Sequence, residues 1–253
     1  MPRLNAFQLK WIAIIGMICN HVVFGLREII PLWLQFPLYA AGGLTFPIMG
    51  YFLVEGYKHT SNLKRYIFRI CIFGLIAVPF HYITFRVFAV NIMFSLALGL
   101  LLLVMYDRIK IRPLFWLIFV FFIFGSFLSD LPIITFLLII LYYTIKNETV
   151  RRLVPPIIGG VILFLLSILM IGYANLLKGF PETLEMAELL IDKLGGVEFM
   201  WVGTSFILGC IVAGFLLKNY NGERGKTMKW AFYIIYPVHL AVICGLYLVI
   251  MGS

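Results

Sequence analysis

Apolar runs long enough to cross a bilayer constrain this chain more than any other feature. Two of them, Leu114–Phe124 and Ile157–Leu166, are apolar on every side and contain no charged residue. A helix needs roughly 20 such residues to cross the hydrocarbon core, where only helices or closed barrels satisfy the backbone. Barrel strands would alternate apolar and polar residues, which these runs do not do. The sequence therefore predicts an all-α fold, a polytopic bundle of transmembrane helices.

About nine spans, within a range of eight to ten, are expected along one integral-membrane domain that covers residues 1–253. The composition agrees, because 63% of the residues are hydrophobic and only 12% are charged, against about 25% in an ordinary soluble domain. The fifth and sixth spans are separated only by Ser129–Asp130 and form either a tight hairpin or one broken element. The expected spans are Leu9–Leu26, Phe36–Val54, Tyr66–Ile83, Asn91–Tyr106, Leu114–Leu128, Leu131–Ile145, Val154–Asn175, Phe199–Leu217 and Trp230–Met251.

The basic residues are distributed in a way that indicates orientation in a membrane rather than nucleic-acid binding. The net charge is +9. With a cytoplasmic N-terminus, 16 of the 20 lysines and arginines fall on the cytoplasmic side, as the positive-inside rule requires. The basic excess then faces anionic lipid headgroups, and no nucleic-acid partner is expected. The four basic residues on the outer side are Arg27, Arg86, Lys178 and Lys193.

One connection, at about residues 176–198, differs from the rest because it is acidic. Its leucines and Met186 recur at helical spacing, which predicts an amphipathic helix on the extracytoplasmic surface. Pro181 opens this helix and Gly195–Gly196 closes it. It serves either as a lid or acceptor-docking surface, or as an inert helix at the interface. Its acidic residues are Glu182, Glu185, Glu188, Asp192 and Glu198.

The four cysteines all lie in apolar spans and follow no disulfide or metal-binding spacing. Neither a CxxC nor an HxxxH pattern occurs in the chain. We therefore expect buried thiols and no metal site. The cysteines are Cys19, Cys71, Cys210 and Cys244.

Ionisable residues inside a membrane span are costly, so Lys10 and His21 in the first span are candidates for function. Eleven positions separate them, which is three turns plus about 20°, so both side chains share one face. The rise between them is about 16 Å. A cation at the cytoplasmic mouth and an imidazole near mid-membrane could hold a long anionic molecule entering from the cytoplasm. The alternative is a topology anchor and a helix-packing histidine.

The last span supplies a second imidazole at a similar depth. His239 lies ten residues beyond Lys229, a rise of about 15 Å. Pro237 removes a backbone donor and frees a carbonyl near Tyr233. His21 and His239 therefore either face one shared cavity, or His239 only hydrogen-bonds a neighbouring helix.

Further polar residues lie near the two ends of the predicted bundle. On the outer side, His81, Arg86 and Asn91 lie between the third and fourth spans. They either bind an acceptor or occupy solvated loop positions. Glu55 lies at the cytoplasmic end of the second span and is expected to form an ion pair. Its candidate partners are Lys10, Lys58 and Arg69.

Four stretches of the chain resemble the TraX family, which is named for a conjugal pilin acetylase. They follow in the order expected for that family and span nearly the whole chain. The basic residue, ten intervening positions and histidine of the first stretch are also similar to the first-helix motif of the integral-membrane acyltransferase superfamily. The stretches are Leu9–His21, Phe46–Thr60 with Arg65–Tyr66 and Arg69 after it, Asn91–Gly99, and Phe232–Leu240.

The resemblance implies an acyl-CoA donor, usually acetyl-CoA, held from the cytoplasm by a multi-pass protein of the bacterial cytoplasmic membrane. By that resemblance Lys10 matches the position that binds the cofactor phosphate, and His21 matches the catalytic base. Lys10 stands where the superfamily often has arginine, and lysine binds phosphate without a bidentate fork. Asn20 stands where the family commonly has aspartate, and can orient the imidazole without adding charge. The other residues assigned to the donor site are Lys58, Arg65, Arg69 and Glu55.

The expected reaction moves an acetyl group to an acceptor that arrives from outside. Neutral His21 removes a proton from an amine or hydroxyl as that group attacks the thioester carbonyl, and burial keeps the imidazole neutral. His239 or Tyr236 donates to the developing oxyanion. A covalent acyl-His21 intermediate is a second open route. The acceptor is a peptide N-terminus, a glycan hydroxyl or a headgroup of the membrane lipids.

Two functions from other classes stay open beside the acyltransferase. A proton-coupled transporter would use His21, Glu55 and His239 as a relay. A non-catalytic membrane scaffold for secretion or pilus assembly would tolerate substitution of both Lys10 and His21.

Overall fold

Helices make up nearly all of the described chain. The computed structural model describes residues 3–86, 91–125, 134–177, 197–227 and 229–251. Within these ranges the chain forms ten α-helices, together with an isolated β-bridge between Leu4 and Tyr220. The helices are α1 (Ala6–Leu26), α2 (Leu32–Gly42), α3 (Thr45–His59), α4 (Leu63–Phe85), α5 (Ile92–Arg108), α6 (Arg112–Gly125), α7 (Ile134–Thr144), α8 (Glu148–Leu177), α9 (Val197–Lys218) and α10 (Lys229–Met251).

The all-α prediction is confirmed, and each of the predicted spans coincides with a helix or a helix pair. Only Gly43 and Leu44 separate α2 from α3, and the two form one candidate span. Three shorter apolar helices accompany five candidate spans that are long and apolar enough to cross a membrane. The Ser129–Asp130 connection and nearly all of the acidic segment at 176–198 lie outside the described residues. The five longer spans are Ala6–Leu26, Leu32–His59, Leu63–Phe85, Glu148–Leu169 and Trp230–Ile250.

Three helices begin at asparagines whose side chains cap the backbone. Asn5 Oδ1 accepts from the backbone N–H of Gln8 at 3.0 Å, and Gln8 Oε1 accepts in return from the N–H of Asn5. Asn62 caps α4, and Asn91 caps α5 by accepting from the N–H of Met93. A side-chain oxygen at this position satisfies an N–H that has no partner inside the helix. The asparagine before each of these three helices therefore fixes the residue at which the helix begins.

The end of α2 lies between α1 and α9, where three glycines let the backbones touch. A Cβ atom on Gly43 would lie 2.5 Å from the carbonyl oxygen of Phe206 in α9. Cβ atoms on Gly16 of α1 and Gly209 of α9 would run into carbonyl oxygens of α2. Helices in lipid pack closely through small residues of this kind. This crossing fixes α2 against both of its neighbours.

We expect Gly209→Ala to destabilise the protein, because the new methyl group would overlap the carbonyl oxygen of Ala40 in α2. Overpacking of this kind costs about 1–3 kcal/mol, which lowers the unfolding temperature of the protein purified in detergent. Gly245→Ala is the matched control, since a Cβ atom on Gly245 in α10 would meet nothing within 4 Å. Equal unfolding temperatures for the two variants would contradict the close approach of α2 and α9.

One end of the bundle joins the N-terminal segment to the connection between α9 and α10. The backbone N–H of Leu4 donates to the carbonyl of Asn219 at 3.0 Å, and the N–H of Asn221 donates to the carbonyl of Leu4 at 2.9 Å. Arg152, near the start of α8, donates from Nη1 to the carbonyl of Tyr220 at 3.0 Å. The starts of α1 and α8 and the end of α9 therefore lie together, as the predicted alternation of spans requires. We call this the N-terminal end of the bundle.

Arg151 ties α8 to α3 at the N-terminal end. It is only 4% exposed, and its Nη2 donates to the Tyr51 hydroxyl and to Glu55 Oε1, both at 2.9 Å. Glu148, in its own helix, lies 3.1 Å away. Lys58, a predicted partner of Glu55, lies 3.7 Å from it, so the unpredicted Arg151 is the closer one. A buried guanidinium needs such partners, because an unpaired buried charge is strongly destabilising.

Replacing Arg151 with methionine should lower the free energy of unfolding by about 2–3 kcal/mol, the value typical of hydrogen bonds to charged groups. The loss arises because Glu55 and the Tyr51 hydroxyl would lose their shared donor. Denaturant unfolding in detergent measures it, with Lys146→Met as the control because Lys146 is exposed at the same end. A loss no greater than that of the control would show that this contact adds nothing to stability.

Candidate functional site

Lys10 and His21 both lie on the inward face of α1. His21 is 9% exposed. The Lys10 Nζ lies 5.1 Å from the ring centroid of Phe52 in α3 and 5.5 Å from that of Phe232 in α10. Both distances are within cation–π range. Neither side chain is turned out towards lipid.

Lys10 lines a basic cavity of about 190 Å³ at the N-terminal end of the bundle. Arg224 and Lys226, from the connection between α9 and α10, add two further cations to its wall. Five aromatic side chains also line it, and these are Phe7, Phe52, Tyr66, Phe232 and Tyr233. The guanidinium of Arg69 lies 5.9 Å and 5.7 Å from the rings of the two tyrosines. Cations beside aromatic rings suit a ligand that carries both phosphate and an aromatic base.

The connection between α9 and α10 is held over this basic cavity by the segment before α1. The backbone N–H of Ala6 donates to the carbonyl of Glu223 at 2.9 Å. Gly225 has a φ of +67°, a left-handed conformation that favours glycine. A Cβ atom there would also lie 2.7 Å from Asn5 Oδ1. Burial, with help from Tyr51 and Glu55, raises the pKa of the Tyr220 hydroxyl in this connection.

Arg224 and Lys226 are not predicted as site residues, because basic residues between two spans are read from the sequence as orientation signals. A signal was present in the sequence. These two residues and Lys229 place three cations within six positions, directly before a helix that carries a buried histidine. The structure adds that the backbone of this connection is hydrogen-bonded to the start of α1, which places Arg224 and Lys226 over the cavity that Lys10 lines.

His21 and His239 are hydrogen-bonded to each other inside the bundle, and we call them the histidine pair. His21 Nδ1 lies 2.6 Å from His239 Nε2, and His239 is 7% exposed. The rings are within 4° of parallel, with centroids 4.9 Å apart. The two bonded nitrogens are much closer to each other than the two ring centroids are. The parallel rings therefore lie side by side, edge to edge in nearly one plane, and are not stacked face to face. His239 Nδ1 also lies 2.8 Å from the carbonyl oxygen of Ile235, one turn earlier in α10.

Apolar and aromatic side chains surround the histidine pair. The rings of Phe85 and Tyr236 lie 5.4 Å and 6.3 Å from the ring of His21, measured between centroids. Tyr236 is also 5.6 Å from His239. Neither histidine is part of the wall of the basic cavity. A long anionic molecule held by both Lys10 and His21 would need the basic cavity to continue to His21, and in this conformation the cavity ends before it.

Four residues predicted for the site lie elsewhere, and one of them, Glu55, is bonded to Arg151 as described above. Asn20, adjacent to His21 in the chain, packs against α2, because a Cβ atom on Gly42 would lie 2.7 Å from Asn20 Oδ1. It forms no hydrogen bond with the imidazole, whose Nδ1 faces His239 instead. Lys58 contacts Glu55 and the ring of Tyr143, and Arg65 is exposed. The wall of the basic cavity includes neither of these two cations.

The three residues predicted to bind an acceptor have different surroundings. His81 is buried in α4, with its ring 4.9 Å from that of Phe85, which in turn covers His21. Asn91 is also buried, and its Nδ2 donates to the carbonyl of Gly74 at 2.9 Å in addition to capping α5. Arg86 follows α4 with a φ of 54°. His81 and Asn91 are therefore interior residues, which excludes the solvated-loop alternative for both.

The described ranges contain neither a candidate metal cluster nor a disulfide. No group of three or more His, Cys, Asp or Glu residues there is arranged to hold a metal ion. Cys210 and Cys244 are buried, Cys19 and Cys71 are half-buried, and all four are free thiols.

Comparison with known proteins identifies the family of the chain. Residues 6–247 match the family described as "TraX protein". The chain is also 31% identical to the "Probable fimbrial assembly protein FimC, serogroup H1" of Dichelobacter nodosus, in a match that covers 95% of each protein. No solved structure matches it. Because the family match covers nearly the whole chain and so does the match to this relative, the protein belongs to the TraX family.

Proposed function

We propose that this protein is a membrane acetyltransferase that takes an acetyl group from cytoplasmic acetyl-CoA and passes it to an acceptor outside the membrane. One observation carries the proposal. A basic, aromatic cavity and a buried pair of imidazoles lie along the same inward face of α1. This arrangement offers a site for phosphate near one end of the face and a base further along it, although the cavity itself ends before His21. The membrane is proposed to be the bacterial cytoplasmic membrane.

The residues of the basic cavity fit the donor. Coenzyme A combines phosphate groups and an adenine ring with a long flexible arm that ends in the reactive sulfur. Lys10, Arg224 and Lys226 supply charge for the phosphates, and the aromatic side chains supply faces for the adenine. Arg69 adds positive charge behind two of those rings. Lysine and arginine together bind phosphate well even without a bidentate fork from Lys10.

His21 is the proposed general base. The acceptor nitrogen or oxygen attacks the thioester carbonyl carbon as His21 takes its proton. The carbon–sulfur bond then breaks, and the imidazolium returns the proton to the departing sulfur of coenzyme A. Both ring nitrogens of His239 are engaged, by His21 and by the carbonyl of Ile235. Tyr236, beside the pair, is therefore the better placed donor for the oxyanion.

The depth of His21 favours an acceptor from outside. His21 lies fifteen residues after Ala6 and five before Leu26, the ends of α1. At about 1.5 Å per residue it is about 22 Å from the N-terminal end of the helix and about 8 Å from the other. With the N-terminus in the cytoplasm, the base lies on the outer side of the helix midpoint. The relative is a probable fimbrial assembly protein, so we propose the N-terminus of a fimbrial or pilus subunit as acceptor, with a glycan hydroxyl second.

The transporter alternative receives less support from the contacts. It needs Glu55 to exchange protons with the two histidines. Glu55 is instead bonded to Arg151 at 2.9 Å, with Lys58 and His59 also within 4 Å. The histidine pair faces Phe85 and Tyr236 rather than a carboxylate.

If the basic cavity is the donor site, removal of its positive charges should weaken the binding of coenzyme A. Lys10→Met and the Arg224→Met/Lys226→Met double variant should each weaken binding about tenfold or more, as expected when hydrogen bonds to charged groups are lost. Isothermal titration with the purified full-length protein measures the dissociation constants of CoA and 3′-dephospho-CoA. Lys64→Met is the control, because Lys64 is an exposed cation outside the cavity wall. Unchanged binding in both variants, or no binding by the native protein, would reject the site.

If His21 is the general base, His21→Ala should impair acetyl transfer rather than coenzyme A binding. Acetyl transfer should fall by roughly 100- to 10,000-fold, the contribution typical of general acid–base catalysis, while coenzyme A binding is retained. The assay uses protein reconstituted in vesicles, acetyl-CoA, and the purified fimbrial subunit of the same organism, with release of the CoA thiol as readout. Full transfer activity in a folded His21→Ala protein would exclude His21 as base or nucleophile. It would leave the scaffold role, for which substitution of Lys10 and His21 is harmless.

A further inference from the structure

We infer that His239 is a positioning residue that holds His21 in one tautomer, with a proton on Nδ1, and thereby leaves Nε2 of His21 as the basic atom. The hydrogen bonds of the pair and the carbonyl beyond it carry this inference. The catalytic meaning of the Nε2 atom rests on the proposed function, whereas the tautomer itself does not.

The chain of bonds starts at a group that can only accept. The carbonyl oxygen of Ile235 lies 2.8 Å from His239 Nδ1. Because a carbonyl has no proton to give, the proton in this bond belongs to Nδ1. A neutral imidazole carries one N–H, so Nε2 of His239 has a lone pair and is an acceptor.

The second bond follows from the first. His21 Nδ1 lies 2.6 Å from that lone pair, and the two rings are nearly coplanar, so the lone pair points along the line of approach. The proton between the two nitrogens therefore comes from His21 Nδ1. By the same rule of one N–H for each neutral ring, His21 Nε2 has the remaining lone pair. Two imidazolium rings at this distance would repel each other inside the bundle, which favours the neutral pair.

No other described side chain fixes the ring of His21 by a comparable bond. Asn20 packs against α2 at Gly42. Phe85 and Tyr236 contact the ring through aromatic edges and faces. His239 is therefore the residue that sets both the tautomer and the rotation of the imidazole.

Over the whole reaction His239 neither gains nor loses a proton. His21 Nε2 accepts the proton of the attacking group and the ring becomes an imidazolium. Its Nδ1–H continues to donate to His239, so part of the new charge is spread over the second ring. When the proton passes from Nε2 to the sulfur of coenzyme A, the starting tautomer is restored.

Two substitutions at His239 separate positioning from packing. Glutamine places an amide oxygen near the former Nε2 and can still accept from His21, whereas asparagine reaches only as far as the former Nδ1. His239→Asn should lower kcat for acetyl transfer by at least about 10- to 100-fold, the loss typical when the partner that orients a metal-bound histidine is removed. The KM for acetyl-CoA should not change. His239→Gln should retain most of kcat, and thermal unfolding of both variants controls for folding. Equal losses in both variants would overturn the positioning role.

The tautomer itself can be observed without any activity. The chain has only four histidines, so nitrogen-15 NMR of histidine-labelled protein in bilayers resolves them, with His21→Gln and His239→Gln as assignment variants. We expect protonated Nδ1 and unprotonated Nε2 on both His21 and His239, and a changed His21 spectrum in His239→Asn. A proton on His21 Nε2, or a His21 spectrum indifferent to His239→Asn, would overturn the inference. The expected spectrum without acetyl transfer to any tested acceptor would reject the proposed function and leave the pair standing.

Discussion

The hydrogen bond between His21 and His239 joins the first helix of the chain to the last, and the arrangement of the interior depends on it. Polar groups within a membrane must find partners in the protein. The two imidazoles are hydrogen-bonded to each other, and the carbonyl oxygen of Ile235 accepts the remaining bond, from Nδ1 of His239. Backbone pairing of Leu4 with residues 219–221 closes the same two regions at the N-terminal end of the bundle. The site is therefore assembled from segments that lie at opposite ends of the sequence.

Much of this fold can be predicted from the sequence because lipid imposes a simple rule. Apolar runs of sufficient length must be helical, so the spans follow directly from the composition along the chain. The inward face shared by Lys10 and His21 follows from helical periodicity for the same reason. The gap between the fifth and sixth spans and the acidic segment fall outside the described residues.

The partners of these residues could not be predicted, because contacts between helices depend on how each helix is rotated about its axis. Arg151 is the clearest example. It looks like one more orientation signal, yet it is buried between Tyr51 and Glu55. His81 and Asn91 fall within predicted spans, but the sequence does not show that His81 packs on Phe85 or that Asn91 donates to the carbonyl of Gly74. Arg224 and Lys226 reach the basic cavity through a connection that contains two left-handed glycines and is bonded to the start of α1, which the sequence pattern does not show.

The glycine crossing of α1, α2 and α9 has a consequence for how the molecule can move. Where backbones touch directly, no side chain stands between them that could swing aside, so these three helices can shift only as a block. Phe85 of α4 and Tyr236 of α10, by contrast, stand beside His21 as side chains with rotatable bonds. Rotation of these two side chains would change the surroundings of His21 without any shift of the three glycine-packed helices. The packing around His21 is therefore uneven, with backbone contacts through glycine on the side of α2 and aromatic side chains on the side of α4 and α10.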